Sequence, residues 1–162
     1  STCDNFGAVL LNKTLYYTDA TSFLKLGKPI SDFKYIKQAM GPTPDPAQFL
    51  SLKRDLIEAN RLVEEPKDYF GKILKNLTAI DEPNVDYFSS KEIKLIDETI
   101  DLLKDLSASD VSEISHREIS WQVAELKEEL PFYTYLLTEE EPDDSDLEWA
   151  GDIIAKCQTS GK

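Results

Sequence analysis

The chain has 162 residues, 41% of them apolar and 30% charged, an ordinary balance for one domain that buries a real core. Acids outnumber bases 31 to 18, a formal charge of −13. Such a surface repels phosphate backbones and anionic lipid headgroups, which speaks against general nucleic-acid binding and membrane adhesion. No apolar run approaches the roughly 18 residues a membrane span requires, and no signal-peptide pattern precedes the first helical segment. The two cysteines, Cys3 and Cys157, stand near opposite ends. They form neither a disulfide framework nor a metal-binding spacing, and they point to a reducing, cytoplasmic setting. The opening at Ser1 rather than methionine points to a trimmed start.

Along the chain, "NFGAVLLNKTLYYTDATSFLKLGKP" reads as a first helix. Val9, Leu10, Tyr16, Tyr17, Ala20, Phe23 and Leu24 recur at helical spacing, and Gly27 followed by Pro29 supplies the stop. "FKYIKQAM" alternates and carries aromatics, as a short strand does. "GPTPDP" reads as a rigid link that ends the strand and aims the next helix, because each proline excludes helical geometry from its predecessor. Asp45 is placed as an N-cap, with Pro46 at the first helical position and Gln48 at the third. Phe49, Leu52, Leu56, Ala59 and Val63 then make one apolar stripe. "RLVEE" and "KILKNLTAI" around "PKDYFG" read as a β-hairpin, with Lys67, Lys72 and Lys75 as a small basic spot.

"SSKEIKLIDETIDLLKDL" is the clearest helix, with Ser89 and Glu92 as a capping box and Ile93, Ile96, Ile100 and Leu103 at steps of three and four. Ser107 and Asp110 open a short helix. Ser115 and Glu118 read as a further capping pair that starts "SHREISWQVAELKEEL", which Pro131 breaks before the apolar "FYTYLL". Residues 139–149 hold seven acids and no base, the pattern of a solvated stretch or of a mimic of DNA aimed at basic protein. "LEWAGDIIAK" predicts a last helix. No internal repeat is visible.

His116 is the lone histidine. As a base or metal ligand it would draw on Glu118 or Asp110, but zinc needs three or four ligands and none of the sequence patterns supplies them. The commoner role is a histidine at a helix–helix corner, bonding a backbone carbonyl. There is no Gly-rich phosphate loop, no Cys/His metal motif and no nucleophile elbow. The expectation is therefore no catalytic residue, no metal and no cofactor.

The ordered set of segments resembles the Panacea, or SocA-like, antitoxin domain, which includes phage-associated GepA-like proteins. Lys13, Tyr16, Tyr17 and Asp19, with Leu11 and Leu15, match the family's opening helix. Gly27, Pro29 and Ile30 match its link, and Gly41, Pro42 and Pro44 match its glycine–proline knuckle. Phe88, Ser89, Glu92, Leu106, Ser107, Ser115, His116 and Trp121 match its second half. The resemblance spans residues 8 to 137. Thr14, Asp32 and Met40 depart from it, standing where the family has leucine, glycine and an aromatic, and the segment before the first helix is short, which leads to the expectation that an initial helix is missing from the sequence.

The resemblance implies an α+β fold, mainly α, with a small antiparallel sheet. The helix followed by a hairpin adds a winged-helix-like outline. It implies an antitoxin domain over residues 1–137, followed by the acidic extension of residues 138–162. It also implies a non-enzymatic role: neutralising a cognate protein toxin by direct binding, with one type also acting as a proteolytic adaptor. If aromatics carry that contact, the expected partner-binding residues are Tyr16, Tyr17, Tyr35 and Trp121. Lys13, Asp19, Gly41, Pro42, Pro44, Ser115 and His116 are expected to serve the scaffold. The alternatives are a phage-associated DNA-binding or regulatory protein, reading promoter DNA with the helix after Asp45 and the hairpin as a wing, and a hydrolase centred on His116.

Overall fold

A computed structural model describes residues 7–69, 72–136, 143–145, 147 and 148. The described elements run as follows: helix α1 (Ala8–Leu26), strands β1 (Tyr35–Gln38) and β2 (Gly41–Pro44), helix α2 (Pro46–Glu58), strands β3 (Leu62–Tyr69) and β4 (Lys72–Ala79), and helices α3 (Ser90–Leu103), α4 (Ala108–Ser115) and α5 (Ile119–Val123). Short 3-10 turns cover Val85–Tyr87 and Phe132–Leu136. The class is α+β, mainly α, with two small antiparallel sheets, as expected. Of the acidic stretch 139–149 only residues 143–145, 147 and 148 are described, and the last predicted helix lies outside the described residues beyond residue 148.

Helix α1 is the axis of the molecule. Its buried positions, Leu10, Lys13, Thr14, Tyr16, Thr18, Asp19, Ala20 and Ser22, point in every direction around the helix rather than along one stripe. The helical spacing of its apolar residues does not by itself show this. Helices α3 and α4, strand β2 and the Phe132–Leu136 turn all pack around it. On one side Leu10, Leu103 and Val111 form an aliphatic core, with Val9, Tyr17 and Leu106 against it. On the other, Tyr16 meets Tyr35 edge-on at 5.1 Å, and Phe132 stacks near Phe23 at 6.0 Å. Gly27 ends the helix at φ 78°, the left-handed cap predicted for it.

The glycine–proline link is itself a strand. Residues Gly41–Pro44 pair antiparallel with β1, Tyr35 opposite Pro44 and Lys37 opposite Pro42. Proline is tolerated there because β2 has a strand on one side only, so the missing N–H leaves no ladder bond open. A third segment lies along the other edge of β1: Lys37 N donates to Glu128 O at 2.9 Å, Lys127 N to Lys37 O at 2.8 Å, and Leu130 N to Tyr35 O at 2.7 Å. The long helix expected from Ser115 to Leu130 is therefore confined to Ile119–Val123. Beyond it, the backbone bonds are taken by the sheet edge.

The N-caps read from sequence are present for α2, α3 and α4. The Asp45 carboxylate accepts from Ala47 N and Gln48 N at 3.0 and 3.1 Å, and Ser89 with Glu92 and Ser107 with Asp110 form complete capping boxes. The Gln48 side chain reaches instead to Lys34 N, at 3.0 Å. The hairpin forms with Leu62 opposite Ala79, so Val63, assigned to the α2 stripe, lies in β3. The buried stripe of α3 is Leu95, Thr99 and Leu103; Ile93, Ile96 and Ile100 lie beside it, half-buried. Because Asp45 alone satisfies two orphan amides of α2, Asp45→Ala should cost about 1 kcal/mol of folding stability. Urea denaturation would show this as a lowered midpoint at unchanged slope.

Candidate functional site

Several of the residues that carry the family resemblance, Lys13, Tyr16, Asp19, Gly41, Pro42, Pro44 and Ser115, converge on a buried polar cluster around α1. Lys13 is 1% exposed, and its ammonium donates to the Pro42 carbonyl at 2.6 Å. One turn and a half further along, Asp19 is equally buried. One of its carboxylate oxygens accepts from Ile30 N at 2.9 Å and Ser31 N at 2.7 Å. The other accepts from the Tyr35 hydroxyl at 2.7 Å and from Ser31 Oγ. Four donors on one carboxylate satisfy a charge that would otherwise be costly to bury. The two ionised groups of one helix thus hold the link after α1 and the outer carbonyl of β2.

Gly41 completes this joint. Its φ of 97° is one that side chains disfavour. A Cβ there would lie within 2.8 Å of Lys13 Cε and Nζ and closer still to Ser115 Oγ. Ser115, expected to cap a helix with Glu118, instead donates to Ser112 O at 2.8 Å. Ser112 Oγ in turn donates to Met40 O at 3.1 Å and Ala108 O at 2.7 Å. Ser112 therefore holds the β1–β2 turn against α4, while Ser115 packs on Gly41 with its hydroxyl turned back into its own helix. Pro42 and Pro44 are fully buried in the same joint.

Glu118 had been read as a capping residue. Its carboxylate accepts from the Tyr16 hydroxyl at 2.9 Å, and the buried hydroxyls of Tyr17 and Tyr135 lie close to it without closing hydrogen bonds. Burial raises the Glu118 pKa, which the three tyrosines and Lys13 partly offset. Burial likewise pulls Lys13 down to about 8, against the opposing pull of the Glu118 charge. The Tyr16, Tyr17, Tyr35 and Tyr135 hydroxyls are all pushed well above their usual range, first by burial and then by neighbouring negative charge. The sequence held one signal for Glu118: a helix carrying Lys13 and two tyrosines inward needs an acceptor from elsewhere in the chain. Spacing alone could not say which acid supplies it.

Of the four aromatics expected at a partner surface, Tyr16 and Tyr35 are each 1% exposed and belong to the core; their hydroxyls are engaged by Glu118 and Asp19. Tyr17 and Trp121 are half-buried. The Trp121 indole donates to Gln38 O at 3.2 Å, stacks on His116 at 3.9 Å and lies under the Lys37 ammonium at 4.2 Å. His116 ends α4, as expected of a corner residue, but its contact is this stack rather than a carbonyl: Nε2 is buried with no hydrogen-bond partner. Asp110, offered as its partner, is held in the Ser107 capping box. Among the described residues no three His, Cys, Asp or Glu side chains come together as a metal site, and no helix is long and apolar enough to cross a membrane.

Two outcomes follow. Gly41→Ala should destabilise the fold by at least about 2 kcal/mol, combining backbone strain with a clash against Lys13 and Ser115, as read by thermal or urea unfolding. The pH dependence should change sign. The unfolded lysine keeps its proton up to 10.5 while the folded one loses it near 8, so stability rises with pH above 8. Above 10, the usual tyrosine value, the unfolded tyrosines ionise while the buried ones do not, and stability falls. Lys13→Met should abolish the rise and leave the fall, in urea titrations run across that range.

The model of the "Antitoxin SocA-like, Panacea domain" matches residues 11–122, from the start of the Lys13 helix to the Trp121 stack. No curated protein and no solved structure matches the chain. The matched span contains Lys13, Asp19, the Gly41–Pro44 strand and both capping boxes of α3 and α4, and on that match the chain belongs to the SocA-like, Panacea-domain antitoxin family.

Proposed function

We propose that the protein is an antitoxin that neutralises a cognate protein toxin by direct binding, in a cytoplasmic setting and without catalysis. The family match over residues 11–122 carries this reading. The geometry agrees with it in one respect. The charged motif residues are spent on architecture: Lys13 on the Pro42 carbonyl, Asp19 on the link, Glu118 on Tyr16. Recognition then falls to surface fit, for which Tyr17 and Trp121 are the two of the four expected contact aromatics that keep accessible area, while Tyr16 and Tyr35 act by holding the scaffold. A specific complex of this kind buries about 1,200–2,000 Å², and the acidic surface would speed capture of a basic toxin. Handing the bound toxin to a protease is a compatible extension of the same contact.

The regulatory alternative, with α2 and the hairpin reading promoter DNA, has less support. Among the described side chains of that region, four basic groups are engaged by carboxylates: Lys53 with Glu64 at 3.3 Å, Arg54 with Asp55 at 3.6 Å, Arg61 with Asp81 at 3.5 Å and Lys75 with Glu64 at 3.6 Å. Co-expression with the product of the neighbouring gene tests the proposal. Growth arrest by that product alone, relief by this chain and co-purification of the two are the expected results. A harmless product that does not bind sinks the reading. A promoter fragment shifted at low salt, and released steeply as salt rises, would favour the regulatory one.

A further inference from the structure

The charge of this chain is divided unevenly. Residues 1–82 contain 11 basic and 11 acidic side chains, whereas residues 83–162 contain seven basic and 20 acidic. The neutral part includes α2 and the hairpin, which leave Leu50, Leu52, Ile57 and Ile73 exposed. None of the 13 residues of α2 is buried. Leu50 is 54% exposed and Ile57 38% exposed; seven residues apart, they share one face of the helix. A helix this short is marginal in water unless its apolar face is packed. On the hairpin, Ile73 is opposite Asp68, and the two-residue alternation puts both on the same face as Glu64, the residue that meets Lys53 of α2. Ile73 is 78% exposed on that face. Strands β3 and β4 pair only with each other among the described residues.

We infer that a second copy of this chain covers the α2–hairpin face, in a two-fold dimer. Two molecules of net charge −13 repel, and that repulsion is smallest when their neutral parts meet and their acidic parts point away. The charges bordering the face balance: Lys53 and Lys75 meet Glu64, Arg61 meets Asp81, and Asp68 beside Ile73 is the third acid to these three bases, so it presents apolar area with no net charge to oppose a like surface. A two-fold axis puts the same patch on both sides, so the leucine–isoleucine face of each α2 is buried by its own equivalent. A basic partner would instead be drawn to the acidic half. The inference does not depend on the antitoxin reading.

Sedimentation equilibrium of the full chain tests it. Monomer and dimer should exchange with concentration, and the dimer should tighten as salt is raised, because screening weakens acid–acid repulsion. A complex with a basic polypeptide would show the opposite trend. Leu50→Lys and Ile57→Lys should each weaken the dimer about tenfold or more, near 1.4 kcal/mol, with unchanged far-UV circular dichroism. Leu24→Lys, at a residue 50% exposed on α1, should leave it intact. If either α2 variant unfolds, Ile73→Lys carries the same expectation from a side chain with little packing to lose. A chain that stays monomeric at every concentration and salt overturns the inference, even if it binds some other polypeptide. So does a dimer indifferent to these variants, or one weakened equally by Leu24→Lys.

Discussion

The fold depends on two ionised side chains that one helix carries into the interior. Lys13 and Asp19 are each 1% exposed, and a buried charge without partners would cost several kcal/mol. Their partners come from the twenty residues that follow the helix: two backbone amides and two hydroxyls for Asp19, and a strand carbonyl for Lys13. The link from Lys28 to Pro44 is thereby fixed to α1 before any apolar packing is counted. The Pro42 carbonyl matters here because β2 has a strand on one side only, and the lysine supplies a donor to its other side.

A second consequence is how α4 is positioned. The β1–β2 turn must pass close to α4, since Ser112 bonds Met40 O and a Cβ at Gly41 would strike Ser115. Sheet, first helix and fourth helix therefore meet at one point where only a glycine fits. The residues just beyond, Glu118 and Trp121, reach back to Tyr16 and to Gln38. Contacts more than eighty residues apart in the chain thus close the molecule around α1. A motif made of such residues marks a scaffold, and its recurrence in a family says more about a shared frame than about a shared partner. On the proposed reading, partner choice lies in the exposed side chains that the motif leaves free to vary.

Much of this was legible in the amino-acid order. Local signals with a local cause match the structure: the Gly27 stop, the Asp45 cap, the two capping boxes and the existence of the hairpin, although Pro66–Tyr69, expected between its strands, extend β3. The family resemblance was legible for the same reason, since it is an ordered series of such signals. Non-local assignments failed. "GPTP" reads as a rigid link because each proline excludes helical geometry from its predecessor, a rule that does not say whether the extended segment pairs as a strand. The segment to Leu130 was read as helix because its spacing is helical, and Tyr16 and Tyr35 were read as contact residues because exposed aromatics dominate interfaces.

The sequence by itself determined where helices start and stop, because capping and turn chemistry act within one turn of the chain. Only the tertiary structure decided that α1 is buried around most of its girth, with Leu24 and Lys25 left open near its end. Such burial depends on what the rest of the chain brings to it, and no periodicity within the helix records that. It also decided that Glu118 serves Tyr16 rather than Ser115. A carboxylate three residues from a serine can cap a helix, but a buried hydroxyl on the central helix is the more demanding claimant. Which of the two prevails is fixed by packing across a hundred residues, not by spacing.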